Sequence, residues 1–308
     1  MKLTLSLMVW NTSHLLGRTL ETLKKQTMQD WELLIVDDMS EDDVPLTIQQ
    51  HGQGLPIKYH RLEHDMGMRG NTFSLNYGLR CSQGDVVMWS TPEVMLPPGT
   101  LQAVYDTLQN KHEKLWVTIP SHGLTPSTQL CLDAVDWKTD LHAIKTLVEN
   151  LSPEDPNSIW FYVNFYEDGR RDKEPRISYG NNQTVGVRRQ QWLENVGYFP
   201  YFLDYGSDDP WVSGTRKKNG YQDVTLWEYE AYHQWHATTQ YWMALGKAPN
   251  WNKWGHTTSN IMSDINVPEG GTCEIWDGGS HEQTPRSTSH HLGAYVLSTG
   301  FKEKNDQG

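Results

Sequence analysis

Two apolar runs that stop abruptly at carboxylates constrain this chain more than any other feature. Leu33-Leu34-Ile35-Val36 leads straight into Asp37-Asp38-Met39-Ser40-Glu41-Asp42, and Val86-Val87-Met88-Trp89-Ser90 leads into Thr91-Pro92-Glu93. A short, unbroken apolar run suits a strand covered on both faces, as in a parallel sheet. Acidic residues where such a strand ends are delivered to the sheet edge at which open α/β folds bind ligands. A diphosphate-bearing ligand, reached through a divalent metal, suits carboxylates in that place.

The surrounding pattern predicts the same architecture. Leu3 to Val9 reads as a first strand, and Ser13 to Gln26 as a helix with Leu16, Leu20 and Leu23 at helical spacing. Thr12 or Ser13 can cap the amides at its start. Glu32 to Val36, Ile57 to Leu62 and Asp85 to Ser90 follow as strands, with helices expected over Asn71 to Cys81 and Leu101 to Gln109. This alternation predicts a Rossmann-like, mostly parallel α/β sheet flanked by helices. After Leu115 to Ile119 the pattern is broken by Pro120, Pro126, Pro153 and Pro156, with a helix expected near Trp137 to Asn150. It returns at Thr184 to Val187 and in a helix over Arg189 to Val196. The expected division is a ligand-binding sheet half over 1–120, a second, irregular half of the same domain over 121–246, and an extension over 247–308 placed to act as a lid.

Composition narrows the function classes. A net charge of -12 with 37% hydrophobic residues describes a folded chain whose surface is not built to neutralise many phosphates. Cys81, Cys131 and Cys273 have no metal-ligand spacing and suit buried thiols in a reducing compartment. The apolar start is interrupted at Asn11 and His14, unlike a signal peptide, and no stretch has the length of a membrane span. The expectation is a cytoplasmic enzyme. The 14 Trp and 14 Tyr either fill a large core or offer flat faces to sugar rings and bases, with Trp251 and Trp254 flanked by polar residues.

Three ordered blocks then bring a family into view: Ser6-Leu7-Met8-Val9-Trp10-Asn11, Leu20-Glu21-Thr22-Leu23-Lys24-Lys25-Gln26-Thr27, and Trp31 through Asp42. In this order the chain resembles family 2 glycosyltransferases of the GT-A fold, over most of residues 1–240. The resemblance implies transfer of a sugar from a nucleoside diphosphate donor, UDP being the expected nucleotide, to an acceptor hydroxyl. It implies that Asp38 contacts the base or ribose, that Asp37 supports it, and that Trp10 and Asn11 lie in the neighbouring loop. Gly70 to Gly78, followed by Gln83-Gly84-Asp85, resembles the helix beside the nucleotide, which brings Arg69 and Asn76 toward the donor.

The family's Asp-x-Asp metal signature reads Thr91-Pro92-Glu93 here. Glu93 keeps a hard oxygen ligand for Mn²⁺ or Mg²⁺, and Thr91 takes the place that serves the sugar or ribose. Metal-independent transfer and an inactive site are the alternatives. Tyr232-His233-Gln234-Trp235-His236 resembles the family's late histidine segment, implying His236 as a further ligand with His233 as its substitute; an aromatic-cluster pair is the other reading.

Asn182 to Arg189 resembles the segment beneath the transferred sugar, with Arg188 placed to balance the leaving group. Tyr205-Gly206-Ser207-Asp208-Asp209-Pro210-Trp211 resembles the paired carboxylates of inverting members. The resemblance implies Asp209 as the base that takes the acceptor proton, Asp208 as a hydroxyl contact, and Trp211 and Tyr205 as acceptor walls. Such a step needs a base on one face of the anomeric carbon and charge stabilisation on the other. Arg216, first of a basic run, is a candidate phosphate contact. A polysaccharide, a lipid-linked sugar, a protein side chain or a modified DNA base all remain possible acceptors, although the net charge weighs against DNA. A nucleotidyltransferase is disfavoured because no Gly-rich phosphate loop follows the first strand. A non-catalytic carbohydrate-binding or scaffold protein of the same fold is the main alternative.

Overall fold

The computed structural model describes residues 1–63, 71–109, 112–146 apart from 125, 139, 142 and 145, then 160–161, 184–198, 201–202, 208–236, 258–259 and 295–297. In chain order these form β1 (Leu3–Val9), α1 (Ser13–Leu23), β2 (Trp31–Asp38), α2 (Val44–His51), β3 (Ile57–Glu63), α3 (Asn71–Cys81), β4 (Val86–Ser90), β5 (Val94–Met95) and α4 (Thr100–Thr107). There follow β6 (Leu115–Thr118), β7 (Ser121–Gly123), α5 (Pro126–Cys131), β8 (Trp160–Phe161), β9 (Val185–Arg188), α6 (Arg189–Asn195), β10 (Tyr201–Phe202), α7 (Asp208–Lys218), β11 (Gln222–Thr225), β12 (Ala231–His233), β13 (Thr258–Ser259) and β14 (Tyr295–Leu297).

The main sheet runs β11-β6-β9-β4-β1-β2-β3-β14. β1, β2, β3 and β4 are parallel neighbours, β9 lies antiparallel between β4 and β6, and β14 adds an antiparallel edge to β3. This is the expected GT-A-like α/β sheet flanked by helices. β1 is buried almost throughout and β2 throughout, as central parallel strands covered on both faces must be.

Side-chain alternation divides the core. Val86 and Met88 face one cluster with Leu5, Leu7, Leu16, Leu20 and Val104. Val87 and Trp89, one residue out of phase, face the other with Leu75, Leu79, Val185 and Trp192. Trp89, Trp116, Trp192 and Tyr221 form a chain of tilted and edge-on ring contacts at 5.4–6.4 Å in the second cluster. These three tryptophans serve the core. Cys81 and Cys131 are thiols not joined in a disulfide, half-buried where burial was expected, and Cys273 lies outside the described residues.

Two features position the site. The chain steps from β1 to β2 and β3 on one side and places β4 on the other, so the strand order reverses between β1 and β4. The crevice beyond their carboxyl ends is where doubly wound sheets hold ligands. A second, four-stranded sheet, β5-β12-β7-β8, stands at the same edge because β5 begins immediately after Thr91-Pro92-Glu93. Its own apolar cluster includes Met95, Leu124, Leu132, Trp137 and Tyr232.

Of the helix expected over Trp137 to Asn150, residues 139, 142, 145 and 147–150 lie outside the described residues, as does most of the 247–308 extension. Among the described residues, no helix is long and apolar enough to cross a membrane.

Candidate active site

The loops after β1 and β2 are tied to each other by the side chains that end them. Asn11 donates its backbone N–H to Ser40 Oγ at 3.0 Å, and its Oδ1 accepts from the Glu41 N–H at 2.6 Å. Ser13 N–H, at the start of α1, donates to Asp42 Oδ2 at 2.7 Å, so a residue of one loop caps the helix that follows the other. Asn11 and Met39 both have left-handed backbones, with φ of 52° and 57°. Asn tolerates that region; for Met it is strained and is held by the surrounding contacts.

Asp37 and Asp38 then separate in role. Asp37 is fully buried and is spent on the scaffold: Oδ1 accepts from Ser40 N–H at 2.8 Å, and Oδ2 accepts from Tyr59 Oη at 2.6 Å and Arg61 Nη1 at 3.3 Å. Burial, then the neighbouring Asp37 charge, pushes the Tyr59 hydroxyl well above its ordinary pKa, so it stays a donor. Asp38, the last residue of β2, sits beside this support at the sheet edge. Trp10 is half-buried in the adjoining loop.

Glu93 anchors the second part. Its carboxylate, with His233 and His236, presents ligand atoms that all lie within 4.8 Å of one another. Nε2 of His233 and Nε2 of His236 are each 3.6 Å from Glu93 Oε1, longer than a hydrogen bond, and the two rings are 5.2 Å apart. Glu93 Oε2 is buried without a hydrogen-bond partner. Burial raises the pKa of this carboxyl, but the proximity of His233 and then His236 outweighs it and holds the group below the usual carboxylate range. A buried carboxylate held ionised, with Oε1 toward two imidazoles and Oε2 unsatisfied, fits a divalent cation. Both histidines join Glu93, where His236 was expected with His233 as its substitute. Thr91 Oγ1, two residues before Glu93, is also buried without a partner.

Folding explains how such distant residues meet. Val94 pairs with His233 across the β5–β12 ladder, which sets the histidine beside Glu93. The next residue, Gln234, is fully buried and pins the strap that carries His236. Its N–H donates to the Glu93 carbonyl at 2.9 Å and its Nε2 to the Leu15 carbonyl of α1 at 3.0 Å. Sequence reading passed over Gln234; the signal was a long amide between two ligand candidates, a place where a pin is needed. His14, in the first turn of α1, lies within electrostatic reach of Asp42, His236 and Glu93 and was likewise missed.

Other expected residues lie elsewhere. Arg188 pairs with Val86, at the start of β4 and therefore at the opposite edge of the sheet from Glu93, and its Nη1 donates to the Leu108 carbonyl at 2.5 Å. The antiparallel direction of β9 carries it away, and it does not balance a leaving group from there. Arg216 is not a phosphate contact either: it pairs with Asp223 at 2.9 Å and lies over the Trp116 ring at 5.2 Å. Asn76 is fully buried in α3. Asp208 and Asp209 are the first two residues of α7, and Trp211 follows in the same helix. The side chains of Asp208, Asp209 and Trp211 lie outside the described residues, as do Arg69 and Tyr205 altogether.

With this geometry in place, comparison with known proteins is informative. A family model described as glycosyl transferase family 2 matches residues 7–129. The uncharacterized glycosyltransferase YwdF of Bacillus subtilis (strain 168) is 28% identical over 233 residues, covering 64% of this chain and 83% of the relative. The crystal structure of S. aureus TarS superposes with a TM-score of 0.54 at 17% identity, over 76% of this chain and 37% of that one. Residues 1–349 of TarS in complex with UDP-GlcNAc give 0.53 at 16% identity, over 77% and 60%. This chain thus spans less than two thirds of either TarS chain, and at these identities the likeness is one of fold.

Proposed function

We propose that this chain is a family 2, GT-A-type glycosyltransferase that moves a sugar from a nucleoside diphosphate sugar, UDP-linked, to an acceptor hydroxyl with inversion at the anomeric carbon, a reading supported by the family model over residues 7–129 and by the fold. The observation that carries this reading is the convergence of Glu93, His233 and His236 at the carboxyl edge, beside the β1/β4 reversal and the clamped loops after β1 and β2. The choice of UDP is supported by the complex of the structurally similar TarS with UDP-GlcNAc.

In this reading Asp37 keeps the β2 loop rigid, and Asp38 accepts hydrogen bonds from the base or ribose, for which an ionised carboxylate is an acceptor only. Glu93, His233 and His236 hold a divalent cation, Mn²⁺ or Mg²⁺, with the two imidazoles favouring Mn²⁺. Bound there, the ion supplies Lewis-acid stabilisation of the diphosphate. Thr91 Oγ1 offers an unsatisfied hydroxyl to the sugar or ribose.

Asp209 takes the proton from the acceptor hydroxyl. The acceptor oxygen bonds to the anomeric carbon, and the bond to the diphosphate oxygen breaks with its electron pair on the leaving group. Asp208 contacts a hydroxyl of donor or acceptor. The test is turnover of a UDP-sugar panel by the wild-type protein and Asp209→Asn, with donor binding measured in parallel. Loss of turnover with donor binding retained is expected. Wild-type rates in Asp209→Asn would remove the base assignment, and glycan binding without any turnover by the wild type would favour a non-catalytic protein.

A further inference from the structure

β14 is attached to the sheet at one place only, beside the acid pair that ends β2. It pairs antiparallel with β3, and the register sets Tyr295 opposite Glu63, Val296 opposite Leu62 and Leu297 opposite Arg61. On its other side β3 sets Leu62 opposite Asp38 and Arg61 opposite Asp37. Two rows therefore cross three strands, Asp38-Leu62-Val296 and Asp37-Arg61-Leu297. Along residues 57–60 the outer edge of β3 has no ladder partner among the described residues, so the covered part of this edge is the part in line with the acids.

Cover at that place has a physical consequence. The Asp37 carboxylate is fully buried and takes hydrogen bonds from two side chains of β3, Tyr59 Oη at 2.6 Å and Arg61 Nη1 at 3.3 Å. A buried charge is costly unless its partners stay in place. Asp37 Oδ1 in turn holds the Ser40 N–H at 2.8 Å, and Ser40 Oγ holds the Asn11 N–H at 3.0 Å. The end of an unpaired edge strand frays, and fraying at Arg61 loosens this whole series. A three-residue ladder reached through so long a stretch of chain is itself a weak unit, able to open without global unfolding.

We infer that β14 is a positioning strand for the nucleotide-binding acids. Its backbone holds Arg61 and Leu62 in the sheet, Arg61 holds Asp37, and the clamped loops then present Asp38. This rests on the glycosyltransferase reading, in which Asp38 meets the base or ribose, and it makes nucleotide affinity depend on residues 295–297.

The experiment compares the full-length wild type with Val296→Pro, which removes a backbone N–H and disfavours the ladder, and with Val296→Thr, which keeps that N–H and a β-branched side chain. Residue-resolved amide exchange on the metal-free protein reads Arg61, Leu62, Glu63 and Ser40, and calorimetry with Mn²⁺ reads UDP affinity. Val296→Pro is expected to lose protection within 61–63, to speed exchange at Ser40 and to weaken UDP roughly three- to tenfold, the worth of one net hydrogen bond. Val296→Thr is expected to restore all three readings, and thermal unfolding checks that each variant is folded. Equal exchange at 61–63 in the wild type and Val296→Pro overturns the pairing. Equal UDP affinity in those two proteins overturns the positioning role, as does an equal loss in Val296→Thr, which assigns the effect to the side chain. A wild type that binds no UDP refutes the glycosyltransferase reading instead; Ser40 then still decides the hold on Asp37, and unchanged exchange there in Val296→Pro overturns it.

Discussion

Replacing Gln234 separates a scaffold contact from its effect on the metal centre. Its carboxamide makes one well-formed hydrogen bond, Nε2 to the Leu15 carbonyl at 3.0 Å, and longer contacts at 3.4–3.5 Å to Thr19 Oγ1, the Glu93 carbonyl and Arg18 Nη1. In Gln234→Leu the volume is kept, and the Glu93 carbonyl retains the Gln234 backbone N–H at 2.9 Å. The stability cost is therefore that of one net hydrogen bond, about 1 kcal/mol. Gln234→Ala adds a cavity in a fully buried place and brings the cost to about 3 kcal/mol. Metal affinity follows a different logic, because both variants release the strap between His233 and His236. Outer-shell losses of this kind weaken metal sites roughly 10- to 100-fold. The two variants should thus differ in thermal stability yet weaken Mn²⁺ similarly, as read by calorimetric titration of the metal-free protein. If Mn²⁺ affinity in Gln234→Leu stays within about twofold of wild type, the backbone bond alone sets the strap and the reasoning fails.

Two further outcomes concern the scaffold. His60 is buried against the Tyr77 hydroxyl at 2.6 Å, and burial, then the Lys58 charge, lowers its pKa to about 3. Between that value and the unfolded value near 6.5 the unfolded chain binds a proton that the native state refuses, so stability falls as pH drops through this window, by about 2 kcal/mol at pH 5; His60→Gln should flatten that part of a stability-versus-pH curve, and an unchanged slope would count against the buried neutral imidazole. A Cβ at Gly84 would lie 2.5 Å from Thr4 N and 2.7 Å from Leu3 C, both backbone atoms, so Gly84→Ala should cost about 3 kcal/mol in chemical denaturation; a loss under about 1 kcal/mol would mean that the turn into β4 can move.

The first half of the fold was legible because its signals are local. Unbroken apolar runs gave β1, β2 and β4, and leucines at helical spacing gave α1. α2 was missed although Asp43 caps it, accepting from Leu46 N–H at 2.9 Å, with Pro45 in its first turn; it buries only Val44 and Ile48, too few apolar residues to make a stripe. The small sheet was illegible for a different reason: β5, β7, β8 and β12 are two or three residues long, and their pairing depends on partners up to 139 residues apart, as for Val94 and His233. Arg188 shows what strand assignment leaves undetermined. Its strand was foreseen, but only the antiparallel direction of β9 decides which sheet edge receives its side chain. The resemblance brought His233 and His236 into consideration; the ladder register puts His233 beside Glu93, and the strap pinned by Gln234 brings His236 there.

That pairing changes the ligand chemistry at the altered Asp-x-Asp position and so leads to a prediction about the ion. With Thr91 in the first place, the acidic contribution falls to Glu93, and the other candidate ligand atoms are imidazole nitrogens. Mg²⁺ demands oxygen ligands in near-ideal octahedral geometry and gives up water reluctantly, so one carboxylate with two nitrogens is a poor match. Mn²⁺ accepts imidazole more readily, and affinity for nitrogen-bearing sites rises further along the first row. Titration of the metal-free protein should therefore rank Co²⁺ and Zn²⁺ above Mn²⁺, and Mn²⁺ above Mg²⁺. Acidification should release the ion, because imidazole nitrogens must be unprotonated to ligate while the Glu93 carboxyl, held below its usual range, stays ionised longest. Glu93→Gln should abolish binding of all four ions, whereas His236→Ala, at the more open of the two imidazoles, should narrow the gap between Mn²⁺ and Mg²⁺ by removing a nitrogen. Mg²⁺ that displaces Mn²⁺ at equal concentration from the unmodified protein would show that the histidines do not ligate, and would leave Glu93 paired with them as an ionic contact only.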